Sequence, residues 1–589
     1  MSRIINSMVQ PRNNTAEEGD AHDEHFGPSE SSTWEHLSPK SANSSSESQR
    51  AQINLAHLPS NIANTLFRSY MVHISTRWPV MHTPYIRQLH ETRGSLTDVY
   101  EIAALHLVYA IGGRFLETAG QTGQFHSDQH CEKAMLQLDA IVRMHAGLRS
   151  IQILILLSLY NLRSPRGPGA WKFAGLAMRQ CIEMGLHRQT HMKWPLIDEM
   201  RRRVFWTCYC LDRQVSIILG RPFSISDRDI DVELPTDIDE DIEDESRLRN
   251  AQNEARSHPT RTPKSSTSMT GFIHICRLRK IESEIQQTIY RVDKVPSNVK
   301  ADVESFLVRI DQWKSELPLD AQQLPDFSTM RVDGFDNYMV YYYKCIRFLL
   351  YPIIFSPEAA DVHYLKRCAQ ACAGVCQTYK KLHQSVPVGF SVMALHSIFI
   401  AGLTLLYCIW AAPNEVFGIS TSNGLDSCSI VLYVIAERWV GARKFRDVFD
   451  VIKQSVMESI EQEDQPRRSI IDLRRQVIMA LCSAGSSEGD CRGEFSAMVN
   501  DMAVDKADTM TTESGDDSVL KWQNMAADAP SAEDPDFNFE LPMEGMPLFD
   551  GMIFAFPGGR EDDTTVGTLM DLQQNDWNTV EQQSYSSSI

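Results

Sequence analysis

The run from Phe390 to Ala412, FSVMALHSIFIAGLTLLYCIWAA, contains no Asp, Glu, Lys or Arg. A segment that long and that apolar has two homes. It crosses a bilayer, or it forms the central helix of a core large enough to enclose it. His396, two serines and a threonine interrupt the run, and no second charge-free span accompanies it. The expectation is therefore a buried helix in a large helical core, in a soluble intracellular protein without a membrane partner.

The remaining body agrees with an all-α fold. Leu66, Phe67, Tyr70, Met71 and Ile74 fall on one face of a predicted helix over Leu58–Ser75. Further helical spacing covers Thr97–Ile111, Cys131–Met144, Arg149–Asn161, Trp171–Met184 and Asp198–Leu219. It resumes over Met269–Val292, Ala301–Glu316, Asn337–Leu350, Ala359–Gln384, Ser391–Ala411 and Ile430–Arg443. Gly185 fits the left-handed position that closes a helix, and Gly220 before Pro222 stops the Asp198–Leu219 helix. No stretch alternates with period two for long enough to make a sheet.

Charge divides the chain where the periodicity stops. The 589 residues carry a net −19. Residues 1–50 hold 8 acidic and 4 basic side chains, and residues 501–589 hold 19 and 3, which leaves the body at +1. A Ser-rich leader over 1–53 and a tail over 483–589 have too few aliphatics to offset ordering entropy, so both are expected to be disordered. The helical body spans 54–482, broken by a surface loop expected to be mobile over 237–268. The 13 cysteines are an odd number in a chain with no secretory start, and they are expected as reduced, buried thiols.

Candidate chemistry is sparse. Asp227–Glu245 holds 11 carboxylates. Asp237, Asp239, Asp241 and Asp244 superficially resemble the Mg²⁺-holding aspartates of helical diphosphate enzymes. Pro235 and the dense like charge favour a solvated loop instead, and no second cluster is present. A helical Mg²⁺-dependent enzyme is the alternative carried forward from this run. Cys368, Cys372 and Cys376 would drift along one helix face among small residues, which suits close packing better than a metal. Cys208 and Cys210 point to different faces. No nucleophile elbow, phosphate loop, dinucleotide fingerprint or H-E-x-x-H occurs, and histidines such as His187 and His396 are scattered. The sequence assigns no catalytic, cofactor-binding or metal-binding residue.

One group of residues goes beyond composition. AWKFAGLAMRQCIEMGLHRQ contains Trp171, Gly175, Ala177, Arg179, Gly185, Leu186, His187 and Arg188. EMRRRVFWTCYCLDRQVSIILGRPFSISDRDIDVELP adds Glu199, Arg201 to Arg203, Phe205, Trp206, Asp212, Arg213, Ser216, Leu219, Gly220, Arg221, Pro222, Asp229, Asp231 and Pro235. Together these resemble the fungal-specific transcription factor domain, the helical middle region of fungal zinc binuclear cluster regulators. LFRSYMVHISTRWPVMHTPYI, with Tyr70, Pro79 and His82, resembles its opening, and IAERWVGARKFRDVFDVI its last helices. The likeness covers about 60–455.

The resemblance implies a nuclear regulator of transcription controlling a metabolic pathway or biosynthetic cluster, with a homo- or heterodimer as one arrangement. It does not carry over the six-cysteine zinc module, because the first cysteine is Cys131. DNA contact is then expected only indirectly, through a partner or a missing module, and zinc only in such a module.

The tail adds its own argument. In residues 532–556, Phe537, Phe539, Leu541, Leu548 and Phe549 alternate with acidic residues. Charge repulsion keeps such aromatics exposed and ready to fold into a coactivator groove. The expected function is an activating regulator. A regulatory partner of full-length regulators that does not itself activate is a further alternative.

Overall fold

A computed structural model describes residues 53–144, 147–164, 169–190, 194–257, 267–291, 299–317, 335–354, 361–385, 389 and 391–461. The leader up to residue 52 and everything beyond 461 lie outside the described residues, including Phe537, Phe539, Leu541, Leu548 and Phe549. Among the described residues there are seventeen α-helices and no strand.

The first half runs α1 (Ser60–Tyr70), α2 (Thr83–Glu91), α3 (Val99–Thr118), α4 (Ser127–Met135), α5 (Leu138–Met144), α6 (Leu148–Asn161), α7 (Gly169–Glu183) and α8 (Pro195–Leu219). A π-helical turn, Met71–Ser75, extends α1. The second half follows as α9 (Glu245–Ser257), α10 (Thr270–Thr288), α11 (Val299–Ser315), α12 (Phe335–Ile354), α13 (Val362–Ser385) and α14 (Val392–Ala411). It closes with α15 (Pro413–Val416), α16 (Ile419–Arg438) and α17 (Arg443–Glu461).

The charge-free run becomes α14, and every residue from Ala394 to Ile409 is buried. Ser391 caps it by accepting the backbone N–H of Ala394 at 3.2 Å. A second helix, α3, is also long and apolar enough to cross a membrane, contrary to the single span expected from the sequence. Glu101 and Arg114 near its two ends hide it from a search for charge-free runs. The apolar stretches of both helices are 83 % buried within the protein.

Two apolar cores organise these helices. The first gathers α1 to α8, and the second gathers α11 to α17. Helix α10 belongs to both, with Phe272, Ile273 and Cys276 in the first core and Leu278, Ile281 and Ile285 in the second. Hydrogen bonds add to this join. Val392 N–H donates to the Leu162 carbonyl at 3.0 Å, and Arg163 Nη1 to the Gly389 carbonyl at 2.9 Å. Within the first core, α1 and α3 meet at Gly112. A Cβ there would stand 2.2 Å from the Leu66 carbonyl oxygen, so only glycine permits the approach.

Three elements depart from the sequence expectation. Helix α2 is short and opens on Pro84, with only Thr83, Ile86, Leu89 and His90 buried, too few to register as a stripe. Helix α9 occupies a stretch expected to be loop. Leu248 and Gln252 are its only buried residues, so its polar sequence shows no apolar periodicity. The expected Ile430–Arg443 helix is instead the end of α16 and the start of α17. The break falls at Trp439, whose extended backbone (φ −137°) ends α16.

Candidate functional site

The family-like residues converge on α8 and on the strap that follows it, residues 220–244. Pro195 supplies the first turn, where a missing N–H costs nothing. Gly220, in the left-handed region at φ 60°, ends the helix and turns the chain back. Arg221 then lies 4.2 Å over the Trp171 ring of α7, while Pro222 is exposed.

Buried polar side chains tie α8 to the strap at three levels. At the first, Arg203 Nε pairs with Glu199 at 3.0 Å, and both side chains are almost fully buried. The Glu199 carboxylate accepts the Thr236 N–H at 3.1 Å, and Arg203 Nη1 donates to the Glu240 carbonyl at 2.9 Å. Beside them Arg202 bridges Asp198 at 2.8 Å and Glu233 at 2.7 Å, and Arg256 of α9 also reaches Glu233. Burial raises the Asp198 carboxyl above its usual value, against the pull of Arg202.

At the second level, Trp206 Nε1 donates to the Glu233 carbonyl at 2.8 Å. At the third, Arg213 is wholly buried and binds Asp212 at 2.8 Å, the Ile225 carbonyl at 2.8 Å and Asp227 at 3.1 Å. The Tyr209 and Phe223 rings sit 4.1 and 4.5 Å from its guanidinium. Asp212 accepts both the N–H and the hydroxyl of Ser224. Asp227 also accepts Tyr209 at 2.7 Å and Ser283 of α10.

The turn after α7 joins the same belt. The His187 carbonyl accepts Asp231 and Val232 N–H groups at 3.1 and 3.2 Å, and Arg188 pairs with Asp231 at 2.9 Å. Burial lowers the His187 imidazole below its ordinary value. Gly185 closes α7 at φ 65°. Gly175 meets nothing where a Cβ would stand, so packing does not require glycine there.

The acidic run is held down more than a solvated loop would be. Asp237 accepts the hydroxyls of Thr267 and Thr270 at 2.6 and 2.7 Å, and Asp239 accepts the Ser268 N–H at 2.9 Å. Asp244 accepts the N–H groups of Ser246 and Arg247, capping α9. Ile238, Ile242 and Leu248 form a small core of their own beneath the carboxylates. Among the described residues no three His, Cys, Asp or Glu side chains stand together as a metal would require. The thiols are packing groups, with Cys210 and Cys276 sulfurs 3.6 Å apart and Cys368, Cys372 and Cys376 all buried.

The belt carboxylates Asp198, Glu199, Asp212, Asp227, Asp231 and Glu233 are committed to guanidinium, hydroxyl or backbone N–H groups. The chemistry of the belt is the positioning of a strap. Residues 67–315 match the fungal specific transcription factor domain. Among similar proteins, a transcriptional regulatory protein of Saccharomyces cerevisiae is 26 % identical over 401 residues, covering 62 % of this chain and 27 % of that protein. The positive regulator of purine utilization of Emericella nidulans is 23 % identical over 505 residues, or 67 % of this chain and 46 % of that one. The ABC-transporter-regulating transcription factor of Aspergillus fumigatus is 26 % identical over 275 residues, covering 44 % and 29 %. The chain thus spans less than half the length of each of these relatives.

The matched stretch runs through α8, the strap and α10 into α11, so the belt lies inside that stretch. What the sequence did not single out is a hollow between the two cores, where Gln214, Arg279, Lys344, Arg347 and His396 meet from four helices. Their spacing along the chain carries no periodic signal.

Proposed function

We propose that this chain is a regulator of transcription controlling the genes of one metabolic pathway or biosynthetic cluster, and that it works in the nucleus. The observation that carries the reading is the match of residues 67–315 to the fungal specific transcription factor domain. The names of the relatives, which regulate purine use and transporter genes, support pathway-level control. In this reading the helical body is a regulatory scaffold, not an enzyme, and the belt around α8 keeps its strap in one register. The tail residues Phe537, Phe539, Leu541, Leu548 and Phe549 engage coactivators, as acidic-aromatic segments do when they fold on binding. Residues 1–130 hold no cysteine, so DNA contact falls to a partner protein or to a module outside these 589 residues.

The test tethers the full chain to a foreign DNA-binding domain in front of a reporter. Transcription should rise, and fall back when the five tail residues are changed together to alanine. A silent fusion, or activation untouched by the five substitutions, overturns the activating role.

A further inference from the structure

The outward face of α16 and the turn that joins it to α17 leave large apolar side chains in water. Ile430 and Tyr433, one helical turn apart, are 44 and 47 % exposed, and Val440, in the turn beyond, is 67 % exposed. Arg446 of α17 lies 5.0 Å over the Tyr433 ring, so the patch spans both helices. A single exposed apolar residue is ordinary, but a run of them along one corner marks an interaction surface.

The charges around this corner say what covers it. Asp426 is closed by Lys453 at 2.9 Å, and Asp447 by Arg446 at 2.6 Å. Glu437 and Arg443 are exposed, and neither has a hydrogen-bond or ion-pair partner among the described residues. They stand three residues to either side of Val440 and are opposite in sign. A partner of one sign, an acidic segment or a nucleic acid, would satisfy one of them and repel the other. A second copy satisfies both. In a two-fold contact the same patch faces itself, so residue i meets j while j meets i.

We propose that the corner between α16 and α17 is the surface through which two copies of this chain associate. Val440 packs on Val440 at the two-fold axis, and Glu437 of each copy pairs with Arg443 of the other. Removing Ile430, Tyr433 and Val440 from water supplies the attraction. The two charge pairs fix the register and reject misaligned contacts. The interface goes beyond the transcriptional reading, and its test needs neither DNA nor a reporter.

The test is sedimentation equilibrium of the full chain, with the unfolding transition of each variant recorded beside it. Wild type should dimerise. Glu437→Arg and Arg443→Glu should each weaken the dimer about tenfold or more, because each sets like charges against one another. An equimolar mixture of the two single variants restores opposite signs at one pair of contacts and keeps them at the other, so it should associate like wild type. The double variant Glu437→Arg/Arg443→Glu should do the same. Both side chains are exposed and unpaired, so all three variants should unfold as wild type does. If wild type stays monomeric up to about 100 μM, if either single reversal dimerises like wild type, or if either rescue fails, the interface is not there.

Discussion

The belt around α8 and the hollow beside α10 are built from the same residue types and treat charge in opposite ways. In the belt Arg202, Arg203 and Arg213 each meet a carboxylate within 3.0 Å, and Arg203 and Arg213 also donate to backbone carbonyls, although Arg203 Nη2 is left without a partner. In the hollow, Arg279 pairs with Glu282, and Lys344 and Arg347 crowd beside that pair. A buried ion pair is not a large net source of stability, but breaking one strands its partner at high cost. Matched charges therefore fix a geometry, while crowding of like charges pushes a neighbour such as Lys344 toward its neutral form.

The largest effect expected from this contrast is in the belt. Arg213→Met removes the cation shared by the buried Asp212 and the half-buried Asp227. Equilibrium denaturation in urea should show a loss of about 3–5 kcal/mol. A loss under 1 kcal/mol would mean that the strap stays put without its central clamp.

Acid probes the same rule by adding charge without a partner. Burial pushes His106 down to about 4, and burial with His106 beside it pushes His130 down to about 3. Their Nδ1 atoms are 2.8 Å apart, so one proton is all the pair can share. A folded value below the unfolded one means the unfolded chain takes protons first. Stability is then fully present above about pH 6.5 and falls as pH drops toward 4, by about 1.4 kcal/mol per pH unit for each histidine forced to charge. Replacing both with phenylalanine should flatten that part of the pH profile.

The smallest effect lies at the belt's exposed end. Arg221 stacks on Trp171 without a carboxylate, so Arg221→Ala should cost only about 0.5–1 kcal/mol. A loss as large as that of Arg213→Met would show that stacking, not pairing, holds the strap.

These differences also explain what could be read from the chain alone. Helices α3, α8 and α14 announce themselves because long stretches of each are buried. Helix α9 does not, since it rests on Leu248 and Gln252 while its other residues face outward. The family-like residues stand out by spacing, but their pairing does not. Glu199 meets Arg203 four residues away and also Thr236, 37 residues away, and only the first is a helix rule. The acidic run looks solvated because Ile238 and Ile242, which anchor it, are two apolar residues among many carboxylates. The hollow is least legible. Gln214, Arg279, Lys344 and His396 come from four helices, and each alone resembles an ordinary surface or core residue.

One side-by-side measurement bears most directly on the distinction between matched and unmatched charge. The unfolding free energies of Arg213→Met and Lys344→Met should be compared with wild type at neutral pH, without added anions. Loss of the paired cation should lower stability, and loss of the crowded one, relieved of desolvation and of Arg279 and Arg347 beside it, should raise it. If both variants lose stability alike, Lys344 has a partner that holds it in place, and the hollow is architecture like the belt.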